Sequence, residues 1–443
     1  MLDCKKLEDS LPKGAKIHSF SVDCENFRPD PSTAFCRLAK FATSLSSLNL
    51  WNMGPLATVQ TISPLLVAPL AKGTLVSLNL SLSCSDLDGL FTAVSSCCPA
   101  LEELLLFREE EEEDDDDVLL NDLPPHAMWK VQHEDLELLL SELGSLRILA
   151  LDTVEVVPRW GGSEAKLPAR EATRLKGLRL NRCAFDRDFV RMVSGACSEL
   201  AYFEYVTDDV EGEEGGELEG EDEVQARTSD ILSLLADACS GTLKNLCLHG
   251  ARVRDSDVRT IGSNFQNLSR LSLGDSPLGV AGQSLKFLGE SKILDRLKCL
   301  HLLSVGGAPF LNTHPPTDAL DRTSSLDRQI GDAHLEKWFG EDNVLEELRL
   351  EGLAGVTPEI VGLVFPKLEG LDIRNCEKFS DPQEVCRLCR KNEALSISNL
   401  SVSISATGTF DGAFYDCEGE TAEEEEEKKE DGEGGEEEAK VAE

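Results

Sequence analysis

One pattern of apolar and polar positions returns along the whole chain: apolar, two free positions, apolar, one free position, apolar. It reads "IHSFSV" from Ile17, "LSSLNL" from Leu45, "LVSLNL" from Leu75, "LEELLL" from Leu101 and "LRILAL" from Leu146. It continues as "LKGLRL" from Leu175, "LAYFEY" from Leu200, "LKNLCL" from Leu243, "LSRLSL" from Leu268 and "LKCLHL" from Leu297. "LEELRL" from Leu345, "LEGLDI" from Leu368 and a weaker "LSISNL" from Leu395 complete thirteen copies. Nine of the twelve intervals lie between 23 and 30 residues, a spacing that marks a stacked repeat. The last two apolar residues of each copy alternate, so on a strand they point to one side. One such strand cannot bury them alone. Thirteen laid side by side form a parallel sheet with a continuous core behind it.

Between the strands the period changes. Leu87, Leu90, Phe91 and Val94 fall at helical spacing, as do Ile231, Leu234, Leu235 and Ala238. Asp381 followed by Pro382 reads as a helix N-cap and first helical residue, ahead of Val385 and Leu388. Strand then helix, repeated, predicts an α/β solenoid, a horseshoe with parallel strands on the concave face and helices on the convex one. Three intervals are long, at 45, 43 and 48 residues. Each excess starts just after a strand, so the surplus chain is expected to leave along one rim. The predicted insertions lie near 107–130, 206–228 and 304–332, and mobility is expected of all three. The predicted organisation is a lead-in at 1–16, a solenoid at 17–410 and a disordered acidic tail at 411–443.

Charge changes the reading of the insertions rather than of the solenoid. The formal net charge is −39. Nine consecutive carboxylates run from Glu109 to Asp117, ten acids fall within 208–223, and 418–443 holds fourteen acids against three lysines. Those three segments carry most of the imbalance, and rim and tail positions keep it in water. A chain this acidic is not expected to bind nucleic acid or an anionic membrane. The runs suit a solubilising role, or a lure for a basic protein such as a histone. Lure binding would weaken with salt, because exposed charges are screened over about 8 Å at physiological ionic strength. The first twenty residues hold no apolar signal-peptide core. No apolar run approaches the ~20 residues that cross a bilayer. Fifteen cysteines, an odd number without paired spacing, read as reduced thiols of a cytoplasmic or nuclear protein.

Cysteine placement carries a family resemblance. Cys98, Cys197 and Cys239 stand just before a strand motif, while Cys183 and Cys376 stand three residues after the last apolar residue of one. The repeats resemble the cysteine-containing, ribonuclease-inhibitor-like class of leucine-rich repeats. They are similar to intracellular F-box leucine-rich-repeat proteins, especially fungal ones, over about residues 17–400. That resemblance implies a non-enzymatic protein-recognition scaffold, the substrate-receptor part of an F-box ubiquitin-ligase-like assembly. It also implies Skp1 as a partner where an F-box is present. None is visible in the sixteen residues ahead of Ile17. An acidic tail is shared with acidic nuclear histone-binding proteins and with Ran GTPase-activating proteins. The latter carry asparagine three residues after the strand. Here those positions are Met53, Ser83, Val154, Cys183, Ala251, Ser276, Leu353 and Cys376, so that likeness is weaker.

Catalytic signatures are missing from the sequence: no P-loop, dinucleotide fingerprint, HExxH or GxSxG occurs. "CRLC" at Cys386–Cys389 is a lone CxxC without a second pair to complete four zinc ligands. The cysteines of the repeat are expected to act as small hydrophobes. No enzyme activity, catalytic residue, metal or cofactor is expected. Candidate function therefore rests on strand positions that face the concavity. These are Trp51, Leu105, Phe107, Ile148 and Tyr202 in the first half, Arg179 near the middle, and Arg270, His301, Arg349 and Arg374 in the second half. Exposed aromatics and arginines on a rigid sheet are candidate hot spots for a protein client. The chain itself is expected to be a monomer.

Overall fold

The computed structural model describes residues 17–23, 44–51, 59–67, 73–82, 89–108, 128–157, 174–207, 221–250, 255–274, 293–303, 331–339, 343–351, 355–374, 376–379 and 400–403, with single or paired residues between. Fifteen strands occur among them. They are β1 Ser19–Asp23, β2 Ser47–Trp51, β3 Ser77–Leu82, β4 Glu103–Arg108, β5 Trp129–Gln132, β6 Ile148–Asp152, β7 Val154–Val157 and β8 Gly177–Asn181. The series continues with β9 Tyr202–Val206, β10 Asn245–His249, β11 Arg270–Gly274, β12 Cys299–Leu303, β13 Glu347–Glu351, β14 Gly370–Arg374 and β15 Leu400–Ser403. All except β5 and β7 join one thirteen-stranded parallel sheet in chain order.

The apolar pattern explains this order. Register pairs Leu48 with Leu78, Leu78 with Leu104, Leu104 with Leu149 and Leu149 with Leu178. The row continues through Phe203, Leu246, Leu271, Leu300, Leu348 and Leu371 to Leu400. Leu48, Leu78, Leu104, Leu246, Leu271 and Leu348 are completely buried. The first leucine of each motif is buried too, including Leu75, Leu101, Leu146, Leu175 and Leu243. The aromatic copy "LAYFEY" obeys the same rule, with Phe203 and Tyr205 in leucine rows and Tyr205 packed 5.6 Å from Phe185. Just before the strands a second backbone ladder runs between repeats. Glu102 N donates to Val76 O, Arg147 N to Glu102 O, Lys176 N to Arg147 O and Ala201 N to Lys176 O, each at 2.7–2.9 Å.

Among the described residues eight helices return the chain: α1 Val59–Val67, α2 Leu90–Cys97, α3 His133–Glu142, α4 Arg187–Ala196, α5 Glu221–Cys239, α6 Asp255–Asn264, α7 Asp332–Trp338 and α8 Pro358–Val364. Neighbours pack on one another behind the sheet, α1 on α2, α2 on α3, α4 on α5 and α5 on α6 among them. Their ends are capped in part by sequence: Asp186 accepts from Phe189 N at 2.8 Å, and Thr357 precedes Pro358 and accepts from Ile360 N. Leu90, Phe91 and Val94 form the buried face of α2 as their spacing predicts. In α5 the buried stripe is Ile231, Leu232, Leu235 and Cys239, turned from the expected Leu234 and Ala238, which are only half-buried.

The last repeat needs a correction. Leu395 N bonds Asn392 O, as Leu368 N bonds Phe365 O, so Leu395 does occupy a first-leucine position. The strand, however, pairs Leu400 with Leu371 and Val402 with Ile373. Two more residues than elsewhere separate that leucine from its strand, and the pairing residues are "LSVS", Leu400 to Ser403, rather than "SISN".

A smaller parallel pair, β5 with β7, was not foreshadowed by the repeat. β7 follows β6 directly, and β5 leads into α3 with Trp129 completely buried. An isolated bridge between Gly331 and Gly355 stands at the same place ahead of α7. Turning out of the main strands takes left-handed backbone at matching positions: Thr153 (φ 55°), Arg182 (φ 50°) and Gly250 (φ 65°). Just beyond Arg182, Cys183 directs its thiol at Leu151 O and Asn181 O. Cys376 does the same toward Leu350 O and Arg374 O. These thiols bridge repeats, which is why a small buried residue stands there.

The acidic runs at 109–117 and 418–443, residues 208–220, the third insertion at 304–330, Leu87, the cap at Asp381 and Pro382, Val385, and Cys386 and Cys389 of "CRLC" lie outside the described residues; of 221–223 only the backbone is described. The chain enters the first insertion after Arg108 and the third after Leu303, at the C-terminal ends of parallel strands.

Candidate functional site

The face of the sheet away from the helices is the candidate site. Alternation puts every second strand residue there, and register aligns them into rows. A middle row runs Ser21, Asn49, Asn79, Leu105, Ala150, Arg179, Glu204, Cys247, Ser272, His301, Arg349, Asp372 and Ser401. Its first three members are small or amide-bearing, Leu105 and Ala150 are apolar, and from Arg179 onward charged or imidazole groups alternate with Cys247, Ser272 and Ser401.

The first half gathers apolar groups. Trp51 stacks on Phe107 at 6.2 Å with the rings 19° apart, across the intervening strand β3. β3 presents Ser81 between them, and the small side chain leaves the rings room to meet. Arg179 lies over the other side of Phe107, 6.0 Å from its centroid, a cation–π contact. Trp51 and Ile148 remain 38% and 40% exposed on a face otherwise built to alternate. Leu105 is half-buried. Ile148 and Tyr202 lie on either side of Gly177, both within 4 Å of where a side chain would begin there. Glycine thus opens a shallow gap between two apolar groups.

Carboxylates occupy the arginines. Arg179 Nε lies 3.2 Å from Glu204, which also accepts from the Tyr202 hydroxyl. Arg270 reaches Glu347 at 2.8 Å. Arg349 and Arg374 share Asp372, each at 3.2 Å. The candidate arginines of the second half therefore form a charge lattice spanning β11 to β14, beside an open groove of about 980 Å³. Such half-exposed pairs fix side-chain geometry and contribute little stability, about 0–1 kcal/mol each. At the strand ends, Asp152 accepts from Asn181 at 2.7 Å and from Arg182 at 3.0 and 3.2 Å, a nearly buried cluster that locks β6 to β8.

Within the lattice sits a compact group. Cys299 Sγ is 3.2 Å from His301 Nε2, which is 3.1 Å from Glu347 Oε1. Burial pushes the Cys299 thiol up to about 12, helped by the Glu347 charge. Burial lowers the His301 imidazole, against the pull of Glu347. Burial alone would raise the Glu347 carboxyl. Hydrogen bonds from Cys299 and His301 and the Arg270 charge outweigh it and hold the group below its ordinary value.

The structure thus brings Trp51, Phe107 and Arg179 into one patch, with Ile148 and Tyr202 forming a second pair. Arg270, Arg349 and Arg374 stand apart in the charged half. Sequence reasoning passed over Glu204, Glu347, Asp372 and Cys299. Their signal was present in the same open-face positions of successive motifs, and only the pairing partners across repeats were not tracked.

No protein-family model and no curated protein matches the chain. Among solved structures, the complex of Rad7 and Elc1 in yeast is similar over 94% of this chain and 83% of that chain, with TM-score 0.50 and 18% identity. The leucine-rich-repeat-containing protein LegL7 of Legionella pneumophila aligns over 90% of this chain and 96% of its own, with TM-score 0.38 and 13% identity. The motif, its period and the thirteen-stranded parallel sheet backed by helices make this chain a leucine-rich-repeat solenoid.

Proposed function

We propose that this protein is a non-enzymatic recognition scaffold whose open sheet face binds a protein client. One observation carries the reading: Trp51, 38% exposed, stacks on the half-buried Phe107 on the open face of the sheet, with Arg179 beside them. Aromatic and arginine side chains held in fixed positions lose little entropy on binding, and they dominate interface energetics. Most other open-face groups are serines, asparagines or self-paired ions, which suit a surrounding polar rim.

The finer reading is a substrate receptor in a ubiquitin-ligase-like assembly. It is supported by the family resemblance of the repeats and by the likeness in fold to the yeast complex of Rad7 and Elc1. Affinity purification of the tagged full chain, with mass spectrometry, tests both levels. Trp51→Ala with Phe107→Ala should remove the specific client, and unchanged recovery would dismiss the patch. Recovery of a Skp1-type or Elc1-type subunit with the wild-type chain supports the assembly. Its consistent absence, with clients present, refutes the assembly and leaves the scaffold.

A further inference from the structure

We propose that Cys299, His301 and Glu347 form a three-ligand site for a zinc-type divalent cation on the open face. Sheet geometry alone brings the three together. Cys299 and His301 are two apart on β12, so both point to the open face, and register sets Glu347 of β13 directly opposite Cys299. One ligand atom from each residue lies within 4.8 Å of the others. Thiolate, imidazole and carboxylate are the donors of three-ligand zinc sites that keep a fourth position open. With metal–ligand bonds of roughly 2.0–2.3 Å, tetrahedral ligand atoms stand roughly 3.3–3.6 Å apart. Two of the three separations, 3.2 and 3.1 Å, need only a few tenths of an ångström of adjustment, and the third pair, Cys299 with Glu347, lies within 4.8 Å.

Three further features fit a cation. First, His301 Nε2 approaches the Cys299 sulfur and a Glu347 oxygen at once, the convergence that ligands of one ion need. Second, Glu347 divides its oxygens. Oε1 faces the ring, while Oε2 accepts from Arg270 at 2.8 Å, the outer-shell contact that orients a ligating carboxylate. Third, a thiolate and a carboxylate supply two negative charges against the cation's two positive ones, with Arg270 beside them, and the neighbouring Arg349 is already paired with Asp372. On binding, the thiol releases its proton to solvent and the sulfur takes the metal. The fourth position faces the groove and can take water or a donor atom of a bound protein.

Cobalt(II) titrated into the full-length, metal-free chain tests this. One equivalent should produce a thiolate-to-cobalt charge-transfer band with the visible bands of tetrahedral cobalt, and zinc should abolish them. Carboxylates of the acidic runs yield no thiolate band. Cys299→Ser and His301→Gln should each remove the band, Glu347→Gln should weaken cobalt binding at least tenfold, and Cys36→Ser should leave it intact. Thermal unfolding of the metal-free variants reports whether each still folds. Absence of a thiolate band in the wild-type chain overturns the proposal. So does a band that survives undiminished in Cys299→Ser, or in His301→Gln and Glu347→Gln together.

Discussion

Gly250 shows how a single residue carries the repeat. Its φ of 65° favours glycine, and a Cβ there would lie 1.8 Å from Thr207 O, backbone that cannot move aside. Gly250→Ala should therefore destabilise the protein by more than about 2 kcal/mol, read as a lowered urea midpoint. An unchanged midpoint would mean that the turn after β10 is not left-handed. Thr153 and Arg182 take the same conformation without being glycine. Arg182 is held by the nearly buried Asp152, and Thr153 bonds that same carboxylate. Their strain is met by side-chain bonds that no local sequence pattern advertises.

Among elements, the strands were the legible part. An apolar pair at alternating positions, repeated, has one way to be buried, and Leu48, Leu246 and Leu348 obey it completely. The open face was legible as a list of positions but not as a set of contacts. Arg349 meets Asp372 only because the two strands align residue for residue, and the variable spacing between motifs hides that alignment. Trp129 could not be read at all. It lies between an acidic run and a helix, and it is buried by pairing with a segment two strands later, β7. Core strength at this scale is directly testable. Leu248→Ala removes a fully buried side chain from β10 and should cost about 2–5 kcal/mol in urea unfolding. A cost below about 1 kcal/mol would place Leu248 outside a packed core.

Across the whole molecule, buried thiols couple stability to pH. Burial raises Cys98, Cys183 and Cys239 from the ordinary 9.0 to about 12, with Cys97 adding to the effect at Cys98. The folded chain keeps protons that the unfolded chain releases. This stabilisation is therefore complete below about pH 9 and is lost as pH rises toward about 12. The urea midpoint should fall across that window, and a flat profile would contradict the burial of these cysteines. Iodoacetamide at pH 8 should label the exposed Cys36 while sparing Cys98 and Cys183, because the thiolate is the reacting form.

The two halves of the open face also differ as wholes, one with exposed aromatics and the other with arginines engaged by their own carboxylates. Client capture measured side by side for three chains tests that division most directly: wild type, Trp51→Ala with Phe107→Ala, and Arg349→Ala with Arg374→Ala. The account predicts loss of the client in the aromatic variant and retention in the arginine variant. Retention in the first with loss in the second would contradict it.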